Sequence, residues 1–255
     1  MAGHSKWANI KRKKGAEDAK RAKIFTRLAR DIMVAAREGG GDEGMNPALK
    51  LAIQKAKDAN MPNDNIDRAI KRGTGELDGG EVEEFTYEGY GIDGIAFMIE
   101  VLTDNKNRAL AGVKAVFNKN NGKFANSGAV AYQFDQKGYM TLKEPEEGDD
   151  IDFEEVFMVA AEAGADDVVN EEGKITVYTP RDLFGAVEQA LSDSGYKTDD
   201  AELRWFPQQE MDVSMKAAVQ NMRIMEKLEE LDDVQSVSSN LNITDDVVKA
   251  FEAEQ

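Results

Sequence analysis

Apolar positions in residues 17–38 recur at helical spacing, and nothing in that stretch breaks a helix. Successive residues lie about 100° apart around a helix axis, so one arc of this helix carries Ile24, Phe25, Leu28, Ile32 and Ala36. A neighbouring arc carries cations, namely Lys20, Lys23, Arg27, Arg30 and Arg37. The pattern predicts a helix that buries one face and presents a cationic stripe beside it.

Two shorter amphipathic helices are predicted to follow, at residues 47–60 and 62–72. Asn46 suits the N-cap of the first and Pro47 suits its first turn. The run Gly39-Gly40-Gly41 ends the long helix before them. Three helices with short connections are typical of a small helical domain, which we place at residues 1–75.

Beyond residue 82 the hydrophobic pattern changes to that of short β-strands. Residues 138–204 predict the order β-α-β-β-α-β, which is the ferredoxin-like plan. Strands on both sides of this stretch indicate that a ferredoxin-like domain at 138–205 is inserted into an outer α/β domain made of 82–134 plus 208–240. The expected fold class is therefore α+β, with an N-terminal three-helix domain followed by two α/β domains, one inserted into the other.

Charge is distributed unevenly along the chain. Its 255 residues carry 32 Lys and Arg against 49 Asp and Glu, which gives a net charge of −17. Residues 1–75 hold 17 of the cations and 9 of the acids, a net of +8, so the remaining residues carry −25. Such asymmetry indicates a polyanion-binding segment attached to a body that polyanions repel. The alternative is a solvated basic tail on an ordinary acidic protein.

The opening arm of the chain concentrates this positive charge, because no acid precedes Glu17. Cations packed so densely are stabilised when they neutralise phosphates and release counterions. Trp7 lies among them and either stacks on a base or packs back onto the helices. We predict a nucleic-acid-binding surface formed by the arm and the helical stripe, with the residues Lys6, Trp7, Lys11, Arg12, Lys13, Lys14, Lys20, Lys23, Arg27 and Arg30.

A secondary anion site is predicted where Lys106 and Arg108 stand at the start of a helix. The alternative there is a capped helix with solvated cations. The glycines at 89–94 match neither the P-loop nor the dinucleotide fingerprint and indicate a hairpin turn. The acidic run at 144–150 lacks the spacing of a calcium loop and is typical of a solvated segment.

The residue inventory argues against an enzyme. There is no cysteine, and the single histidine, His4, stands alone in the arm. Nucleophile–base pairs and zinc sites therefore lack their usual residues, and we expect no catalytic residue, no cofactor and no metal. No apolar run approaches the roughly 20 residues of a membrane span, and no signal-peptide core is present. We expect a cytoplasmic protein with no membrane partner.

Several motifs resemble the YebC/PmpR family of bacterial proteins, which has a mitochondrial relative named translational activator of cytochrome c oxidase. The longest is the opening stretch MAGHSKWANIKRKKGAEDAKRAKIFTRLAR. Shorter family-like segments lie at 39–42, 46–47, 60–62, 69–73, 87–91, 104–108, 127–132 and 163–168. One departure is Ile92-Asp93, where the family usually has Pro-Gly. The resemblance spans nearly the whole chain.

This resemblance implies a three-domain cytoplasmic protein without catalytic activity. It implies a transcriptional regulator that binds DNA. The alternative that it implies is a ribosome-associated translation factor that relieves stalling on proline-rich stretches, with ribosomal RNA as its partner. Both functions place the cationic arm on phosphates, so the charge pattern does not separate them.

Overall fold

The computed structural model of the chain describes residues 17–77, 82–142, 151–171 and 174–254. These residues form two compact units. The first unit contains the described residues up to Ala131 and those from Glu210 onwards, and the second unit is Tyr132–Gln209. A stretch of chain is thus inserted into an α+β unit that begins with helices, and the predicted fold class is confirmed. The finer division into three domains stays a prediction.

Three helices form the N-terminal part of the first unit, and their positions agree with those predicted. They are α1 (Glu17–Gly39), α2 (Pro47–Asp58) and α3 (Asn63–Gly73). Their apolar faces share one buried cluster, whose members include Ile32, Ala36, Leu49, Ile53, Ala56, Ile66 and Ala69. Ile24 differs from its predicted place on the buried arc, because its side chain is 47% exposed.

Asn46 joins the end of α1 to the start of α2. Its side-chain oxygen accepts a hydrogen bond from N of Leu49 at 3.1 Å, which is the expected N-cap bond. Its Nδ2 donates to the carbonyl oxygens of Ala35 and Gly40, each at 2.8 Å. Asn46 is buried, and its one side chain therefore fixes the angle at which the second helix leaves the first.

Close packing of α1 against α3 requires the glycine at position 73. A Cβ on Gly73 would lie 2.4 Å from the carbonyl oxygen of Met33, which is far inside van der Waals contact. The backbones of the two helices approach so closely that no other residue fits there without displacement. This glycine allows α3 to pack directly against the backbone of α1.

The outer part of the first unit combines four strands with three helices. Its elements are β1 (Glu83–Tyr90), β2 (Ala96–Thr103), α4 (Lys106–Lys119), β3 (Lys123–Ala125), α7 (Met215–Glu229), β8 (Val234–Ser239) and α8 (Asp245–Ala253). The strands form an antiparallel sheet of order β3-β1-β2-β8. Its apolar cluster is drawn from β1, β2, α4, α7, β8 and α8. Strand β3 and helix α8 were not predicted from the sequence, and α8 lies beyond the predicted boundary at residue 240.

The predicted hairpin turn connects β1 to β2. Asn221 of α7 is fully buried and bonds both the N and the O of Ile92 in this turn, at 2.9 and 3.1 Å. A Cβ at Gly91 would lie 2.0 Å from Oδ1 of Asn221, so the turn requires glycine there. The family-like motif at 87–91 therefore has a structural role in seating the hairpin on α7.

A buried carboxylate holds the family-like loop at 127–132. Glu88 of β1 is 3% exposed and accepts three backbone hydrogen bonds. They come from N of Gly128 and N of Val130, each at 2.6 Å, and from N of Ala131 at 3.0 Å. Three N–H donors compensate the cost of burying this side chain, and the loop is thereby fixed against the sheet.

The second unit has the ferredoxin-like order that the sequence predicted. Its elements are β4 (Phe134–Leu142), α5 (Phe153–Glu162), β5 (Asp167–Glu171), β6 (Lys174–Pro180), α6 (Phe184–Asp193) and β7 (Thr198–Pro207). The sheet order is β5-β6-β4-β7, with every neighbouring pair antiparallel. The acidic run at 144–150, between β4 and α5 in the sequence, lies outside the described residues, and its predicted solvation stays a prediction.

Candidate nucleic-acid interface

Most of the predicted nucleic-acid-binding residues lie outside the described part of the chain. These are the arm residues Lys6, Trp7, Lys11, Arg12, Lys13 and Lys14. Lys20 and Lys23 lie on α1, but their side chains are also outside the described part. The phosphate-binding role of these eight residues stays a prediction. Arg27 and Arg30 are the two members of the predicted set whose side chains the structure describes.

Arg27 and Arg30 both contact the end of α7 in the outer part of the same unit. Nη2 of Arg27 donates to the carbonyl oxygen of Glu229. Arg30 donates from Nη1 to the carbonyl oxygen of Asp232 at 2.5 Å and from Nη2 to Oδ1 of Asp233 at 2.8 Å. The side chain of Arg30 is only 10% exposed. A phosphate-binding role for either arginine stays a prediction, and in this arrangement both guanidinium groups are engaged within the protein.

Asp233 is the centre of this charged contact. Besides Arg30, its carboxylate accepts from Nε of Arg108 at 3.0 Å, from Nη2 of Arg108 at 2.6 Å and from Oγ1 of Thr103 at 3.0 Å. Burial alone would raise the pKa of Asp233, but the hydrogen bonds from Arg108 and Thr103 and the charge of Arg30 hold it below its ordinary value. The carboxylate is therefore ionised at neutral pH and binds two arginines at once.

The predicted secondary anion site has a different environment for each of its two cations. Arg108 is paired with Asp233 and, at 2.8 Å, with Asp104, and its hydrogen bonds to these acids raise its pKa. Nζ of Lys106 lies 4.4 Å from the centre of the Phe85 ring, within the range of a cation–π contact. Binding of an external anion at these two residues stays a prediction.

The second and third helices expose further cations that the sequence analysis did not place in the interface. They are Lys50 and Lys57 on α2 and Arg68, Lys71 and Arg72 on α3, all of which are exposed. Lys50, Gln54 and Lys57 share one helical face and, together with Glu43 and Ile53, line a depression of about 500 Å³. Helical spacing alone would have found this face, because it lies beside the buried residues of α2.

Three aromatic residues on the second unit's sheet form a buried cluster and not a surface on which bases stack. Tyr139, Tyr178 and Phe206 pack edge to face or offset with ring centres 5.5 to 6.4 Å apart. All three rings are buried. The guanidinium of Arg204 lies 4.0 Å from the Tyr139 ring centre and pairs with Asp200 at 2.9 Å. These rings are engaged with one another and with a neutralised arginine.

The fold and the charge pattern together define a class of multidomain α+β proteins in which a basic helical part precedes acidic α/β parts. Residues 5–76 match the N-terminal domain of TACO1/YebC proteins, and residues 82–241 match the second and third domain of the same proteins. The chain belongs to the TACO1/YebC family. This confirms the resemblance found in the sequence motifs.

Relatives named "Probable transcriptional regulatory protein" match this chain along almost its whole length. The protein from Halothermothrix orenii is 48% identical over 255 residues, which is all of both chains. The protein from Syntrophotalea carbinolica is 50% identical over 246 residues, which is 96% of this chain and 97% of the relative. A solved structure of a conserved hypothetical protein from Aquifex aeolicus is 40% identical, with a TM-score of 0.80 over 91% of this chain and 95% of that one.

Among the helices that the structure describes, none is both long enough and apolar enough to cross a membrane. Within the same residues, no cluster of three or more His, Asp or Glu side chains has the geometry of a metal site.

Proposed function

We propose that this protein is a regulator of gene expression that binds nucleic acid through its basic helical region. The observation that carries the proposal is the segregation of charge, +8 in residues 1–75 against −25 in the rest. A polyanion is attracted to the first part and repelled by the second, so it meets the protein in one orientation. The names of the relatives, which describe transcriptional regulators, support this proposal.

The exposed lysines on α2 favour contacts with the phosphate backbone over direct reading of bases. Lysine is a point charge that binds phosphate well, whereas base reading relies on Arg, Asn or Gln held against base edges. On the exposed face of α2, Nε2 of Gln54 donates to Oδ1 of Asp58 at 2.8 Å, so this amide is engaged within its own helix. We therefore propose that recognition rests on backbone position and nucleic-acid shape.

The second candidate function is that of a ribosome-associated translation factor, as the family resemblance implies. It is favoured by the same lysine-rich face of α2, because backbone contacts suit folded ribosomal RNA as well as they suit duplex DNA. In either case we propose that the protein acts by binding, without catalysis, in the cytoplasm. Charge steers the acidic α/β part away from the nucleic acid and leaves it available to other partners.

The test is a set of binding titrations across a salt series, with a DNA duplex and a structured RNA of equal length. The proposal predicts that log affinity falls steeply with log salt, by about 0.9 per phosphate neutralised on duplex DNA. A flat dependence for both probes would contradict it. Sedimentation of cell lysate through a sucrose gradient separates the two candidates, because a translation factor should travel with ribosomal fractions and a DNA-bound regulator should not.

A further inference from the structure

The contact between α1 and the end of α7 resembles the binding of an anion by two arginines. The last carbonyl groups of a helix have no partners within the helix and carry partial negative charge. Arg27 donates to one of these carbonyls, that of Glu229, and Arg30 donates to Asp232 just beyond it. The carboxylate of Asp233 completes the set at 2.8 Å from Arg30. We call these partners, Glu229–Asp233, the anion segment.

The junction between the helical region and the outer part is polar at this point. Among the residues that the structure describes, the apolar cluster of the three helices and that of the outer sheet have no member in common. A third arginine of α1, Arg37, donates to the carbonyl oxygen of Val82 at 2.5 Å. An arginine that leaves such a polar contact can make equivalent hydrogen bonds to another anion, whereas a shared hydrophobic core has no such replacement.

While α1 contacts the anion segment, one arginine has an N–H group without a hydrogen-bond partner. Nε of Arg27 is buried without a hydrogen-bond partner. Burial lowers the pKa of Arg27, although Glu229, Asp31 and Asp232 act in the opposite direction. A buried donor without a partner costs free energy, and a guanidinium that binds phosphate gains hydrogen bonds in a geometry that suits it. Arg27 therefore has a reason to leave the anion segment when phosphate is present.

Release of the arginines would not leave Asp233 as an isolated buried charge. Three hydrogen bonds from Arg108 and Thr103 would remain on its carboxylate. Both sides of the contact thus have other partners, Asp233 within the outer part and the arginines on a polyanion. This lowers the cost of opening compared with an ordinary buried ion pair, whose rupture strands a charge.

We propose that the anion segment is an internal substitute for phosphate, which occupies Arg27 and Arg30 until a nucleic-acid backbone displaces it. Displacement adds two arginines to the interface and frees the helical region from the outer part. The inference rests on the proposed function for its natural ligand. It goes further in assigning an autoinhibitory contact to Asp233 and a concealed phosphate site to the two arginines.

The decisive variant is Asp233→Asn in the full chain, with Asp93→Asn as its matched control. Asp93 is exposed and adopts a positive φ, which asparagine also tolerates, so both variants remove one negative charge. If a tenth of the free molecules have Arg27 and Arg30 released and able to bind, releasing them in every molecule raises the apparent affinity about tenfold. We expect Asp233→Asn to bind the RNA and DNA probes about tenfold more tightly, and Asp93→Asn to bind almost as the unaltered chain does.

A double-mutant cycle separates release of the arginines from a general effect of charge. In an Arg30→Gln background the gain from Asp233→Asn should disappear, because the contact between Arg30 and Asp233 that it breaks is already absent. If the gain persists in that background, or if Asp93→Asn gives the same gain, the internal-substitute inference is wrong. Urea unfolding of each variant, followed by circular dichroism, shows which changes in affinity accompany a loss of folding.

Separation of the helical region from the outer part is measured directly with spin labels. Labelling at introduced cysteines is site-specific because the chain has no cysteine of its own. Labels at Ala48→Cys on α2, an exposed position without charge, and at Lys249→Cys on α8 report the distance between the helical region and the outer part by pulsed electron resonance. We expect one narrow distance distribution in the free chain and a broader, longer one in Asp233→Asn. Saturation with inorganic polyphosphate, RNA or DNA should produce the same broadening in the unaltered sequence.

The polyphosphate probe distinguishes failure of this inference from failure of the proposed function. If neither nucleic acid binds but polyphosphate broadens the distribution, the proposed function is wrong and the internal phosphate substitute stands. If the probes bind and the distribution stays narrow, the substitute is wrong and the proposed function stands. A narrow distribution in Asp233→Asn overturns the inference whether or not any probe binds.

Discussion

Replacing Asn46 by alanine should loosen the helical region, because this one side chain holds the end of α1 to the start of α2. The substitution removes the N-cap bond to Leu49, which contributes about 1 kcal/mol. It also removes the donors to Ala35 and Gly40, each worth about 1 kcal/mol. The free energy of opening this region should therefore fall by about 3 kcal/mol.

Hydrogen exchange read by mass spectrometry is the suitable assay, since a chain with several folded units has no single unfolding midpoint. Three kcal/mol corresponds to an increase in exchange of about a hundredfold or more, because every 1.4 kcal/mol is a factor of about ten. Peptides from residues 28–58 should show this increase, and peptides from residues 132–209 should not. The affinity for nucleic acid should fall in parallel, because the cations of α2 lose their fixed position.

Two further variants complete this test. Asn46→Ser keeps an N-cap acceptor but has no amide to reach Ala35 and Gly40, so its effect should be intermediate, at about 2 kcal/mol. Asn107→Ala changes an exposed asparagine on α4 and should leave the exchange of the helical region unaltered. Equal exchange in Asn46→Ala and Asn107→Ala would refute the argument that Asn46 joins the two helices.

Two other predictions follow from the buried carboxylates. Glu88→Gln places an amide among N–H donors that now bond a carboxylate. The Val130 amide should therefore exchange faster, and the free energy of unfolding should fall by about 2 kcal/mol. Glu84→Gln, on the exposed part of β1, should change neither quantity. Asp233 has a lowered pKa, so its contribution to stability is present above its ordinary value of 3.8 and is lost as pH falls below that value. As pH falls, the free energy of unfolding should decrease less steeply in Asp233→Asn than in Asp93→Asn. Equal slopes would show that protonation of Asp233 is not coupled to folding.

The helices and the ferredoxin-like order could be predicted from the sequence because each depends on local periodicity. Residues 17–38 carry a continuous apolar stripe, and the observed helix is Glu17–Gly39. Strand β3 was missed because its three residues are too few to show alternation. Helix α8 does carry a helical signal, since Val247 and Phe251 share its buried face and Thr244 caps its start, but it lies beyond the predicted end of the outer domain at residue 240.

The cationic stripe could be predicted, but not its partner within the protein. Periodicity shows which residues share a face of α1, and it does not show what lies against that face. Asp233 is one of 49 acids and is separated from Arg30 by 203 residues along the chain. Only the tertiary structure brings the two together, and so only the structure reveals that Arg27 and Arg30 are engaged within the protein.

The most direct test of the account is the salt dependence of nucleic-acid binding after neutralisation of the arm. One variant changes Lys11, Arg12, Lys13 and Lys14 to glutamine. Its matched control removes four exposed cations of the outer part, Lys119, Lys123, Lys216 and Lys249. The account predicts a slope of log affinity against log salt that is shallower by about one unit for each phosphate that the arm no longer neutralises, with the slope of the control unchanged. Equal slopes for the two variants would contradict the claim that the basic N-terminal region binds the phosphate backbone.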